Sequence, residues 1–274
     1  MKTIQSPGTS DLYLWNGVSA IFFSSSITPF HSHNTLQIVF DIQSGFKFRL
    51  KNDLWKSYKN LIIKENVIHQ LDTKGSVQLI IYLDTQTTIA KAIKAKYLQD
   101  EIYSPDLNLF HFVKPDELQH ALVNANPTQV EQLVEKILRS LTAQKEDSKT
   151  DERIKAVEEI IATQSPGSVT IKYLADQVCI SESRLRALFK QTTGIALYRY
   201  LLWSKIRFAT NCLMAGKLVN EAAFEAGFVD SSHFHKMMVN MFGISPSHFI
   251  NGNKKFKIIK NGTNPLDLKT VVDN

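Results

Sequence analysis

The chain has 274 residues, of which 43% are hydrophobic and 21% are charged. This composition excludes an intrinsically disordered protein, and the length is sufficient for two domains with separate cores. No apolar run approaches the ~18 residues that span a bilayer, and the N-terminus lacks a signal-peptide pattern. The sequence therefore predicts a cytoplasmic protein that has no membrane partner.

Positive charge is concentrated in the C-terminal part of the chain. Residues 168–260 contain 13 Lys and Arg against 5 Asp and Glu, whereas residues 1–150 contain 16 against 15. Because duplex DNA is a dense polyanion, this asymmetry favours a nucleic-acid contact near the C-terminus. The two cysteines, Cys179 and Cys212, lack metal-ligand or redox spacing and are predicted to be free thiols.

Short runs rich in β-branched and aromatic residues alternate with turn signals between about residues 10 and 90. They cover residues 18–23, 36–40, 46–50, 60–63 and 77–83. Runs of this length and composition are typical of strands in a β-sandwich or a small barrel. Several aromatic residues of this region either line an effector pocket or form the core, namely Phe22, Phe40, Phe46, Phe48 and Trp55.

Three histidines in this β-rich part have a spacing compatible with a metal site. His31 and His33 alternate along a predicted strand and so share one face, and His69 follows further on. Three imidazoles can hold a divalent metal ion. The alternative is that these histidines, with Gln37 nearby, line or rim an effector pocket or simply pack in the core.

From about residue 115, apolar residues recur at three- and four-residue spacing and predict two helices. The second, residues 127–143, has an apolar stripe wide enough to cover its own domain and to offer a seam to a second copy, formed by Val130, Leu133, Val134, Ile137, Leu138 and Leu141. Residues 144–151 are charged and contain no large apolar side chain. They are predicted to be a linker that few contacts cross.

One local pattern occurs twice near the C-terminus, in residues 174–190 and 222–238. Each copy contains a short apolar helix, a tight turn, and a second amphipathic helix opened by a Ser N-cap. An apolar segment, residues 197–213, joins the copies and is predicted to hold them in a fixed relation. Two such helix-turn-helix units in one chain predict binding to double-stranded DNA.

The second helix of each unit has an exposed face that predicts the DNA contacts. In the first unit Leu185, Leu188 and Phe189 share the packing face. The opposite face of the first unit contains Ser183, Arg186, Ala187 and Lys190, and that of the second contains Ser232, His235 and Lys236. Arg186 is the first candidate for reading bases, because a guanidinium fits the O6 and N7 acceptors of guanine.

Residues from about 154 to 250 resemble the DNA-binding domain of the AraC/XylS family of bacterial transcription regulators. Segments 221–228, 231–234 and 242–249 follow the family signature IAxxxGFxxxSxFxxxFxxxxGxSPxxYR. The resemblance implies seven helices and two recognition helices in successive major-groove segments, and it adds Ser231 to the predicted DNA contacts. One departure is Cys179, which stands where glycine is common in the first turn.

The β-rich half resembles the cupin-like effector domain of the same family. The resemblance implies an α+β two-domain protein, with an N-terminal cupin-like β-barrel carrying two helices and a C-terminal all-α double helix-turn-helix domain. In cupin metal motifs a carboxylate stands near Gln37, and a Pro-x-Gly turn stands where this chain has residues 64–66. We therefore assign His31, His33, Gln37 and His69 to effector binding and predict no metal and no cofactor.

Together these features predict a sequence-specific DNA-binding transcriptional regulator that responds to a ligand. Residues 1–143 would sense the effector and dimerise, 144–151 would be the linker, 152–252 the DNA-binding domain and 253–274 a basic tail. Predicted partners are double-stranded DNA, a small-molecule effector, a second copy in a homodimer, and RNA polymerase if the protein is an activator. No catalytic residue is assigned. The alternative is a metal-dependent cupin enzyme fused to a DNA-binding module.

Overall fold

The computed structural model describes residues 11–15, 17–23, 27–105, 113–114, 117–118, 127–142, 151–242 and 245–247. The strands are β1 (Asp11–Leu14), β2 (Val18–Phe23), β3 (Thr35–Asp41), β4 (Phe46–Leu50), β5 (Lys56–Tyr58), β6 (Asn60–Ile63), β7 (His69–Asp72), β8 (Gln78–Asp84) and β9 (Ile102–Tyr103). The helices are α1 (Thr88–Tyr97), α2 (Pro127–Thr142), α3 (Glu152–Thr163), α4 (Ile171–Gln177), α5 (Glu182–Thr193), α6 (Leu197–Met214), α7 (Val219–Glu225) and α8 (Ser231–Phe242). Most of the predicted linker and the basic tail lie outside the described residues.

The strands form two antiparallel sheets. The larger has the order β1-β2-β8-β3-β6-β9 and the smaller has the order β5-β4-β7. Within the ranges given above, neither sheet closes on itself, because the larger one ends at β1 and β9. The α+β class is confirmed, whereas the predicted closed barrel is not: the described strands form two open sheets.

Both faces of the larger sheet are buried, which explains the nearly continuous apolar runs of its strands. On β3, Leu36, Ile38 and Phe40 belong to the cluster that includes α1 and α2. Val39, on the opposite face, belongs with Phe46 and Phe48 of the smaller sheet. The predicted aromatic lining is therefore divided between two sides of the sheet and does not surround a single pocket.

Helix α2 covers the larger sheet and leaves no apolar seam for a partner. All six residues of its predicted stripe are at most 6% exposed and lie in the core shared with β3 and α1. The sequence predicts that part of this stripe contacts a second copy, but the chain's own sheet and α1 cover all of it. The predicted dimer seam on this helix is therefore wrong.

The C-terminal helices begin where side-chain caps accept backbone hydrogen bonds. Asp151 caps α3, and Ser181 Oγ accepts from Arg184 N at 3.2 Å at the start of α5. The second unit differs from the prediction, because Asp230 Oδ1, and not a serine, accepts from His233 N at 2.7 Å at the start of α8. Among the described helices, none has the length and apolar character that a membrane span requires.

Candidate nucleic-acid interface and histidine cluster

The first helix-turn-helix unit consists of α4, a four-residue turn and α5. Leu185, Leu188 and Phe189 of α5 are buried in the core that also contains Leu174 of α4. The turn passes through Cys179, whose φ of 53° lies in the left-handed region. A tight reversal at this point requires that conformation, which explains why glycine is the favoured residue there.

The strained turn gives a stability prediction for Cys179→Gly. A non-glycine residue in the left-handed region costs roughly 1–2 kcal/mol, and replacing Cys179 by glycine removes this cost. The extra backbone entropy that glycine loses on folding offsets about 0.5–1 kcal/mol of the gain. We expect the variant to raise the free energy of unfolding by about 0.5–1 kcal/mol in urea titrations. Cys179→Ala keeps the strain and should stay near the wild-type value, so an equal gain in both variants would assign the effect to the thiol.

All four residues of the predicted DNA-contacting face of α5 are exposed, namely Ser183, Arg186, Ala187 and Lys190. Arg186 Nη2 lies 3.0 Å from Glu182 Oε2, one turn earlier, and both side chains are about half exposed. Exposed pairs of this kind contribute only about 0–1 kcal/mol. The Arg186 guanidinium can therefore exchange Glu182 for a base edge at small cost.

The second unit consists of α7, a turn through Gly227 and α8. Ser232, His235 and Lys236 are exposed and Ser231 is partly exposed. The opposite side is packed in the core through Phe234, Met238 and Met241. The exposed and buried faces of α8 are thus those that the periodicity predicts.

The turn of the second unit is held by an unusually close backbone contact. Gly227 has a φ of 75°, and a Cβ at this position would lie 2.5 Å from Gly167 Cα. Lys205 Nζ of α6 donates to the Gly227 carbonyl at 2.7 Å. The turn, the segment before α4 and the joining helix are therefore fixed together at Gly227.

The three histidines of the β-rich part converge. The backbones of His31 and His69 exchange two hydrogen bonds of 3.0 and 3.1 Å. The ring centroids lie 4.8 Å apart for His31 and His33, 4.5 Å for His31 and His69, and 5.5 Å for His33 and His69. One potential ligand nitrogen from each ring lies within 4.8 Å of the other two. The structure therefore brings His31, His33 and His69 together. Gln37, the fourth residue predicted to bind an effector, lies on β3 opposite Tyr82 in the register.

The protonation of the cluster follows from its surroundings. Burial lowers the pKa of all three histidines, and for His69 the pKa falls to about 4. His31 Nδ1 lies 2.7 Å from the Pro29 carbonyl and His69 Nδ1 lies 2.9 Å from the Val67 carbonyl. Because a carbonyl only accepts, each Nδ1 carries the proton and each Nε2 carries the lone pair.

The histidine cluster adjoins the second recognition helix. The His33 ring contacts Tyr82 at 5.0 Å between centroids, and Tyr82 contacts Phe242 at the end of α8 at 6.2 Å. Asn34 N donates to the Asn240 carbonyl at 2.7 Å, and Thr35 Oγ1 donates to the Met241 carbonyl at 3.1 Å. The residues that follow His33 thus hold the C-terminal end of the helix whose N-terminal half carries the predicted DNA contacts.

A buried ion pair also joins the larger sheet to the joining helix. Asp84 at the end of β8 is fully buried, and its Oδ2 accepts from Arg199 Nε at 2.6 Å and from Trp203 Nε1 at 2.9 Å. Nearby, Thr88 N donates to the carbonyl of Gly194, the cap of α5, at 3.1 Å. The expectation that few contacts connect the two halves is wrong. No local sequence signal identifies these partners, because more than 100 residues separate them.

Comparisons with known proteins found one family model, two curated relatives and several solved structures. Residues 174–252 match the model of a protein family that is described as a helix-turn-helix domain. The Msm operon regulatory protein of Streptococcus mutans is 31% identical over 104 residues, which cover 38% of this chain and 37% of that protein. The bifunctional transcriptional activator/DNA repair enzyme Ada of Escherichia coli is 31% identical over 90 residues, 33% of this chain and 25% of its own length. The chain therefore spans well under half of either curated relative.

Two solved structures are also similar. ToxT from Vibrio cholerae O395 aligns over 89% of this chain and 98% of its own, with 12% identity and a TM-score of 0.40. A transcriptional regulator with an AraC-type DNA-binding domain from Chromobacterium violaceum aligns over 36% of this chain and 89% of its own, with 22% identity and a TM-score of 0.34.

Proposed function

We propose that the protein is a sequence-specific DNA-binding transcriptional regulator, from the match of residues 174–252 to a helix-turn-helix domain family and from the resemblance of residues 154–250 to AraC-type regulators. The observation that carries the proposal is the pair of helix-turn-helix units, whose helices α5 and α8 both expose polar and cationic faces. Helices of this kind enter successive segments of the major groove. The joining helix α6, 18 residues long, connects the two units.

We further propose that the N-terminal part regulates the DNA-binding part through a ligand. The support is the contact between the two halves, at Asp84 with Arg199 and at Thr35 with α8. A ligand that binds more tightly to one arrangement of these halves shifts the equilibrium between arrangements. Three points stay predictions: the domain division at residues 144–151, the homodimer, and the contact with RNA polymerase if the protein is an activator.

A selection experiment tests the proposed function. The full chain would be incubated with fragmented DNA of the source genome, and the retained fragments would be sequenced. We expect recovery of a few fragments that share a motif, because specific affinity exceeds non-specific affinity by roughly 10³-fold or more. Recovery of random fragments, or of none at low salt, would contradict the proposal.

Arg186→Ala gives the residue-level prediction for this function. We expect the variant to lose about 1–3 kcal/mol of affinity for the selected DNA and much less for random duplex, because one bidentate base contact discriminates by that amount. Fluorescence anisotropy with both duplexes at one salt concentration measures the difference. Lys155→Ala removes an exposed cation from α3 and serves as the matched control. Equal losses on both duplexes would remove Arg186 from the base-reading set.

The second candidate function is a metal-dependent enzyme fused to the DNA-binding module. Its support is the cluster of His31, His33 and His69. This candidate requires turnover of a substrate at that cluster, whereas the regulator requires only binding. If the full chain recovers specific DNA both with and without an intact cluster, the enzyme remains a candidate function in addition to the regulator.

A further inference from the structure

The histidine cluster contains more unsatisfied ring nitrogens than a packed core tolerates. His33 is 4% exposed and His69 is 1% exposed. Neither ring nitrogen of His33 has a hydrogen-bond partner among the described residues, nor does His69 Nε2. A buried polar atom without a partner costs about 1–3 kcal/mol. Three such atoms within one cluster therefore indicate that something else binds there.

One nitrogen from each of the three rings also contributes to the geometry of a metal site. Three atoms within 4.8 Å of one another lie within about 2.8 Å of a common point, so small side-chain rotations bring them to the 2.0–2.1 Å of a zinc–imidazole bond. The Pro29 and Val67 carbonyls accept from Nδ1 of His31 and His69. Such carbonyl contacts fix the tautomer and ring orientation of metal-binding histidines.

We propose that His31, His33 and His69 bind one divalent transition-metal ion, and that the bound ion controls how the start of β3 is held against α8. Imidazole ligands suit zinc, copper, nickel and iron. Three protein ligands leave a fourth position open, for which Gln37 is the candidate. Gln37 is opposite Tyr82 in the register, so the two share a face, and its buried Oε1 has no hydrogen-bond partner among the described residues.

The second half of the proposal rests on the proposed DNA-binding function. Asn34 and Thr35 directly follow His33 and donate to the last carbonyls of α8. The His33 ring also reaches Phe242 through the ring of Tyr82. An ion that fixes His33 therefore favours one position of the second recognition helix over others. The expected coupling is a change of about 5-fold to 150-fold in DNA affinity.

Calorimetry with zinc tests the metal site. Full chain treated with EDTA and dialysed would be titrated with ZnCl₂, and the cobalt-loaded form would be examined by visible absorption. We expect one ion per chain and a tetrahedral cobalt spectrum. His31→Ala and His69→Ala should each weaken zinc binding by more than about 100-fold, since loss of an outer-shell partner alone costs 10–100-fold. Exposed His233, replaced by Ala, provides the matched control and should leave the titration unchanged.

The fold of each variant is checked by thermal unfolding without metal. If an alanine variant does not fold, His31→Gln or His69→Gln replaces it, and zinc should raise the Tm of the wild type but not of the variant. Zinc binding that is absent in the wild type, or unchanged in both ligand variants, would overturn the proposed site.

DNA affinity tests the coupling separately. Wild type and His69→Ala would be compared on a selected DNA fragment with zinc and with EDTA. We expect a difference of at least about 5-fold for the wild type alone. An equal affinity in both conditions would overturn the coupling. If no fragment binds in either condition, the proposed regulator function fails, whereas the calorimetry still decides the metal site.

Discussion

Asp84→Asn is expected to lower the free energy of unfolding by about 3–5 kcal/mol, because it leaves a partly buried guanidinium without its counter-charge. The Asp84 side chain is fully buried, and Arg199 is 15% exposed. Three donors converge on the Asp84 carboxylate, from Arg199, Trp203 and the Gln86 backbone. The variant should therefore loosen the contact between the larger sheet and α6. Urea unfolding monitored by tryptophan fluorescence measures both effects, since Trp203 itself is in the contact.

The matched control for Asp84 is a carboxylate in an exposed ion pair. Glu225 pairs with Lys217 at 2.6 Å, with side chains 39% and 41% exposed. Glu225→Gln should cost much less than Asp84→Asn, because solvent screens an exposed pair. The double variant Asp84→Leu/Arg199→Met should cost less than Asp84→Asn, because it removes both charges together. A cost for Asp84→Asn as small as that of the control would mean that the buried pair does not form in solution.

Gly227→Ala is expected to destabilise the C-terminal domain by about 3 kcal/mol or more. The added methyl group would meet the Gly167 backbone at 2.5 Å, and two backbones cannot separate as a flexible side chain can. Overpacking of this kind costs about 1–3 kcal/mol, and the left-handed backbone adds roughly 1–2 kcal/mol. The loss should appear in urea or thermal unfolding and should weaken DNA binding, because the turn positions α8.

Gly216→Ala separates the backbone strain of Gly227 from its close contact. Gly216 has a φ of 87°, and a Cβ there would meet nothing within 4 Å. The control should therefore cost only the roughly 1–2 kcal/mol of the left-handed conformation. Equal losses in the two variants would show that the approach of Gly227 to Gly167 is not close in solution.

Local sequence was sufficient for the elements with strong side-chain patterns. The five predicted strands lie within one residue of β2, β3, β4, β6 and β8 at each end, because buried strands contain continuous apolar runs. Strands β5 and β7 were not predicted, since Lys56–Tyr58 and His69–Asp72 are largely polar. Helix α1 was also missed, because its buried side is limited to Ile89, Ala90 and Ile93.

The DNA-contacting faces can be predicted from local sequence, whereas the histidine cluster depends on contacts between residues far apart in the chain. The exposed faces of α5 and α8 follow from helical periodicity alone, so the sequence is sufficient to predict their residues. The convergence of His69 on His31 requires the pairing of β7 with the segment before β3. The approach of α8 to Tyr82 requires the packing of the two halves. The sequence favours an effector pocket over a metal site because an amide, Gln37, stands where cupin metal motifs have a carboxylate and residues 64–66 lack the Pro-x-Gly turn.

The two helix-turn-helix units of the full chain are expected to bind one DNA site together. A footprinting titration on a selected fragment and on a scrambled duplex tests it directly. We predict protection of about 20 base pairs in two successive major-groove segments, at protein concentrations roughly 10³-fold below those that protect the scrambled duplex. Affinity should also fall steeply with salt, because several phosphates are neutralised. Equal protection of both duplexes, or no protection of either at low salt, would contradict the account.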